Sequence, residues 1–119
     1  MQARQSGFTL IELIMVIVIL GALAVIALPR YIDLQTQAEV ASADGVYGAA
    51  QAATAINFAG NLLGVGGTAI TDGATLLGAM SPAPDGWSAA AATITNNTYT
   101  ITVATGETAT APAELSKDW

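Results

Sequence analysis

Phe8 to Leu28 reads FTLIELIMVIVILGALAVIAL, and Thr9, Glu12 and Gly21 are its departures from a continuous run of apolar side chains. Wound as an α-helix, the stretch reaches about 32 Å, close to the roughly 30 Å hydrocarbon core of a bilayer. It is apolar on every side, so either lipid or neighbouring protein must surround it. A short basic stretch, Met1 to Gly7 (MQARQSG), comes before it, and Pro29 and Arg30 come after.

A proline inside a helix removes one backbone bond and crowds the preceding turn, so a kink is expected at Pro29. Helical spacing nevertheless continues beyond it. Tyr31, Leu34, Ala38, Ala41, Gly45, Gly48, Ala49, Ala52, Ile56 and Ala59 recur with that period, while Gln35, Gln37, Glu39, Asp44, Gln51 and Asn57 fall mostly on other faces. The pattern predicts one long helix over about 8–59, bent near Pro29 and roughly 80 Å long. Its Ala and Gly stripe permits close approach of a sheet or of another helix.

From Gly60 to Gly86, frequent Gly and Pro mark loops and turns, with one short helix over Gly73 to Met80 capped by Asp72. Ala92 to Val103 (ATITNNTYTITV) then alternates with period two about Asn96-Asn97, which suits a two-residue turn. That register sets Ile94 opposite Tyr99, Ala92 opposite Ile101 and Thr95 opposite Thr98. Ile94, Tyr99, Ile101 and Val103 would face the long helix, with the Thr residues outward. A third strand and a loose end are both compatible with Thr105 to Trp119. The fold class is therefore α+β: a long bent helix against a small antiparallel sheet.

Composition narrows the function. The 119-residue chain is 53% apolar and 10% charged, with a formal charge of −6. It has neither Cys nor His, so thiol chemistry, disulfides and the commonest general base are unavailable. Arg4, Arg30 and Lys117 are its basic side chains, too few for a phosphate-binding patch, and no nucleic-acid partner is expected. No catalytic residue, cofactor or metal site is expected. Asp72, Asp85, Glu107, Glu114 and Asp118 fit no ligand spacing for calcium and read as solvated surface acids. Gly64-Val65-Gly66-Gly67 lacks the lysine of a phosphate loop. Asn96-Asn97-Thr98 reads as turn chemistry before glycosylation. Tyr31, Tyr47, Phe58, Trp87 and Tyr99 read as packing groups, not as an electron path.

Three readings fit the N-terminus. It could be a signal peptide cut after Ala22-Leu23-Ala24, or an uncleaved single-span anchor. Glu12 favours a third, because a carboxylate near hydrocarbon is costly and needs a partner. Cutting between Gly7 and Phe8 would create an α-amino group on Phe8. That cation could serve Glu12 of a neighbouring copy displaced by about one helical turn, and so set the register of stacked identical helices.

Gly7-Phe8-Thr9-Leu10-Ile11-Glu12-Leu13, behind a basic leader and before an apolar run ending at Pro29, resembles a type IV prepilin. The resemblance is specific over about the first 30 residues and architectural beyond them. It implies a leader over 1–7, a membrane and filament-core half-helix over 8–29, and an amphipathic half-helix with a small β domain over 30–119. It further implies cleavage between Gly7 and Phe8 and N-methylation of Phe8 by a prepilin peptidase. Phe8 and Glu12 would act in assembly, and Gly21 and Pro29 would mark a segment that kinks or unwinds. The subunit would wait in the inner membrane, then pass through an assembly ATPase and platform into a homopolymeric extracellular pilus serving adhesion or motility. A pseudopilin of a type II secretion system shares this N-terminus, and a non-polymerising membrane-anchored envelope protein is the contrasting class. The lack of Cys departs from the common pattern of a C-terminal disulfide and leaves Thr105 to Trp119 dependent on docking.

Overall fold

The computed structural model describes residues 7–119; residues 1–6, including Arg4 and most of the expected leader, lie outside them. The elements are α1 (Leu10–Leu62), α2 (Gly73–Ala79), β1 (Ser88–Ala90), β2 (Thr93–Thr95), β3 (Thr100–Thr105) and β4 (Glu114–Lys117). The arrangement is α+β, with a four-stranded antiparallel sheet in the order β1-β2-β3-β4. Two compact units share the chain, one ending at Glu39 and one covering Val40–Trp119.

In the first unit, α1 runs without interruption through Gly21 and Pro29. Its apolar side chains are exposed throughout, from Leu10 to Leu34.

The second unit has its own core. Ala50 and Ala53 of α1 pack with Ile70, Leu76, Met80, Ile94, Ile101, Val103 and Ala113. Ile94 and Ile101 are fully buried, and each such side chain contributes about 1.5–3 kcal/mol. The face of α1 that docks is not the expected one. Ala43, Ala50, Ala53 and Thr54 are buried and Val46, Tyr47 and Asn57 half-buried, whereas Ala41, Gly45, Gly48, Ala49, Ala52, Ile56 and Ala59 stay exposed. Both faces are small and weakly apolar, so size alone does not choose between them. The docked face carries polar anchors: Tyr47 Oη donates to Leu115 O at 3.0 Å, and Asn57 Nδ2 donates to Glu107 Oε2 at 2.8 Å.

α2 forms where expected. Asp72 Oδ1 accepts from Thr75 N at 2.8 Å and Thr75 Oγ1 accepts from Asp72 N at 3.1 Å, a reciprocal cap. The hairpin forms with a different register. Ile94 pairs with Ile101 and Thr95 with Thr100, leaving a four-residue loop over Asn96 to Tyr99. Asn96 Oδ1 accepts from Thr98 N at 3.2 Å and Tyr99 N at 2.9 Å, and Asn97 takes a φ of 77°. These bonds stabilise the wider loop over a two-residue turn. A slip of two residues preserves the facing of every side chain, so Ile94, Ile101 and Val103 still point into the core.

β1 was not legible in Ser88-Ala89-Ala90, residues of low strand propensity. It pairs with β2 across Ala91 and Ala92, with Ala91 at a φ of 50°. The tail is ordered as β4 on β3, with Asp118 Oδ1 accepting from Thr100 N at 2.8 Å.

Candidate functional site

The candidate site is the start of α1. A Cβ built on Gly7 meets no atom within 4 Å, so the fold itself does not demand glycine there. Phe8 is 90% exposed. Thr9 caps the helix: its N–H and its Oγ1 donate to Glu12 Oε2 at 2.8 and 2.7 Å, and Glu12 N donates back to Thr9 Oγ1 at 3.3 Å. Glu12 thus has a local hydrogen-bonding partner in Thr9, which reasoning from cations alone does not reveal. The spacing Thr-x-x-Glu ahead of an apolar run was the available signal. Glu12 Oε1 makes no hydrogen bond among the described residues. Gly21 and Pro29 both lie inside continuous helix, and a Cβ on Gly21 would also meet nothing within 4 Å. By length and composition α1 can cross a membrane.

Two acids in the second unit turn out to be structural. Glu107 is buried, against its reading as a solvated acid. It accepts from Asn61 Nδ2 at 2.6 Å, Asn57 Nδ2 at 2.8 Å and Ile70 N at 3.3 Å. Burial pushes its carboxyl up, but the hydrogen bonds from Asn61, Asn57 and Ile70 outweigh it, leaving the pKa below the ordinary value. Donors surround it, so the geometry suits a carboxylate and offers no ligand oxygens to a metal. Asp44 pairs with Lys117, and its Oδ1 also accepts from Trp119 Nε1 at 2.9 Å. Hydrogen bonds from Lys117 and then Trp119 hold the Asp44 carboxyl below its usual range. Trp119 meets Tyr99 and Tyr47 edge-on, with centroids 5.3 and 6.3 Å apart. No cluster of acids that could hold a metal occurs among the described residues.

Residues 2–28 match the family described as the prokaryotic N-terminal methylation motif. The start of the chain is thus similar to that of type IV pilins. The chain is 53% identical over 53 residues to the type IV narrow pilus major component PilA5 of Thermus thermophilus, across 44% of this chain and 46% of that protein. It is 54% identical over 43 residues to the type IV major pilin protein PilE1 of Neisseria gonorrhoeae, across 36% and 26%. A fimbrial protein of Moraxella nonliquefaciens is 59% identical over 39 residues, across 33% and 25%. The chain spans less than half the length of these curated relatives. No solved structure matches it.

The matched residues 2–28 include Gly7, Phe8, Glu12 and Gly21, and Pro29 follows directly after them. Glu107 and the Asp44–Lys117–Trp119 group belong to the separate Val40–Trp119 unit.

Proposed function

We propose that the chain is a structural subunit of a type IV pilus-like filament, without a catalytic role. The observation that carries this reading is a methylation motif running into an apolar half-helix whose side chains are all exposed. Exposing that surface to water costs about 25 cal/mol per Å², so it must pass from lipid directly to protein neighbours. Parallel copies of the same helix provide that environment, and a head-to-tail contact that does not close yields an open polymer.

In this reading a prepilin peptidase cuts between Gly7 and Phe8 and methylates the Phe8 amine. The subunit is held in the inner membrane by residues 8–28 until the assembly ATPase and platform draw it into the extracellular filament. The Phe8 amine of one copy meets Glu12 of the next, through the oxygen that Thr9 leaves unused. Gly21 and Pro29 are the weak points at which the packed helix unwinds.

Intact mass and N-terminal sequencing of the native protein test processing, and electron microscopy of the same cells tests assembly. A chain beginning at N-methylated Phe8, present in fibres, is expected. A start near Val25, or Met1 retained in fibre-free cells, would overturn the proposal.

A further inference from the structure

Arg30 is exposed and lies one residue beyond Pro29. Among the described residues the one ion pair joins Lys117 to Asp44, and Arg30 makes none. Asp33, on the next turn, is also exposed and makes none. The two border a shallow cleft of about 240 Å³ with Leu34 and Gln37. In a chain with three basic side chains, one of them in the leader, an unpaired cation beside an unpaired acid is conspicuous.

Residues 30–34 lie within helix, and a stagger between identical copies displaces every position by the same rise, whatever the chain does between Gly21 and Pro29. Arg30 and Asp33, three residues apart, differ in direction by about 60°. The axial order also repeats. The cationic Phe8 amine precedes Glu12 by about 6 Å of rise, and Arg30 precedes Asp33 by about 4.5 Å. A copy raised until its Phe8 amine is level with Glu12 carries its Arg30 to the level of Leu34. That is about 1.5 Å from the level of Asp33, well within the reach of an arginine side chain. The reverse order, acid before base, would leave the groups about 10 Å apart at the same stagger.

We infer that Arg30 of one copy pairs with Asp33 of the adjacent copy, a second register lock set by the same stagger as the Phe8–Glu12 contact. The occupant of this helix face is a second copy of the chain, and charge complementarity selects it. The inference rests on the filament reading. The lock sits outside the apolar run, where both charges keep water until assembly and lose part of it when the copies meet. A wrong stagger faces Arg30 with apolar side chains on one side and leaves Asp33 unpaired on the other. The pair therefore contributes to choice of register more than to overall affinity.

The test is charge reversal in piliated cells, comparing Arg30→Glu, Asp33→Arg and the double exchange. Each single variant should be processed to Phe8 yet lower the sheared-fibre yield about tenfold, and the double exchange should return it to within about twofold of wild type. Single variants that assemble normally, or a double exchange no better than the singles, would overturn the pair while leaving the filament reading intact. Wild-type cells without fibres would bring down the filament reading and the pair together. A second measurement does not depend on the reversed charges being tolerated. Cells co-expressing Arg30→Cys and Asp33→Cys chains are treated with a short bismaleimide, since the chain has no cysteine of its own. Mixed dimers between the two chains are expected, and their absence from fibres containing both would sink the proposal.

Discussion

Glu12 Oε2 accepts two hydrogen bonds from a single residue, from Thr9 N at 2.8 Å and Thr9 Oγ1 at 2.7 Å. The carboxylate therefore closes the first turn of α1 on one side and leaves Oε1 available on the other. A capping role and an assembly role are compatible at this residue, and substitution can separate them. Thr9→Val removes the hydroxyl that completes the cap and should leave fibre yield nearly unchanged. Glu12→Ala should retain cleavage at Gly7 while fibres fall sharply, read by mass spectrometry and by sheared-fibre yield. Equal loss of fibres from both variants would assign Glu12 to capping alone.

A Cβ on Gly7 meets nothing within 4 Å, so any demand for glycine there comes from outside the chain. Gly7→Leu should leave the circular dichroism of the purified protein unchanged while full-length protein accumulates in the membrane. Normal cleavage of Gly7→Leu would remove Gly7 from the processing signal.

Gly73 begins α2 directly beneath the β1–β2 turn. Its N–H donates to Ala91 O at 2.9 Å, and a Cβ on it would collide with the backbone of Thr93. Gly73→Ala should destabilise the Val40–Trp119 unit by about 1–3 kcal/mol, the usual range for overpacking. Ala91 stands at a φ of 50°, where a side chain is strained. Ala91→Gly should relieve that strain and stabilise the unit by up to about 1 kcal/mol. Urea unfolding followed by Trp fluorescence measures both changes, which should have opposite sign.

Glu107, Asp44 and Asp72 all have carboxyls held below their ordinary values, near 4.5 for Glu107 and 3.8 for the two aspartates. A depressed pKa in the fold contributes stability that is fully present above the ordinary value and lost as pH falls through the folded one. The urea midpoint should thus be flat at neutral pH and decline once pH drops below about 4.5. Glu107→Gln turns an acceptor oxygen into a third amide group among donors. It should cost about 1–3 kcal/mol at pH 7 and flatten the acid limb. An unchanged acid limb in Glu107→Gln would show that its hydrogen bonds are not the linked groups.

Trp119 Nε1 donates to Asp44 Oδ1 at 2.9 Å, and Lys117 Nζ sits 5.2 Å from the Trp119 ring. Asp44→Asn should weaken the hold on both and red-shift Trp119 emission, measured in a Trp87→Phe background. Raising salt should produce a smaller shift in the same direction, because only the ion pair is screened.

Features that follow from local spacing are legible in the order of the amino acids alone. The length of the apolar run, the lone carboxylate near its start and the helical period past Pro29 were all visible in it. So were the Asp72 cap and the facing of Ile94, Ile101 and Val103, because parity along a strand survives a slip of two residues. Tertiary structure decided what depends on partners far along the chain. Ala50 and Ala53 were chosen over Ala49 and Ala52 because Tyr47 and Asn57 on their face reach Leu115 and Glu107, 68 and 50 positions away. Glu107 became a buried anchor because Asn61, 46 positions earlier, supplies an amide to it. The tail became a strand because β3 offered an unpaired edge and Asp44 holds Lys117 and Trp119. Polar groups with several possible partners have no local period to betray the choice. Their pairing is fixed only when packing removes them from water and an unmade hydrogen bond becomes expensive.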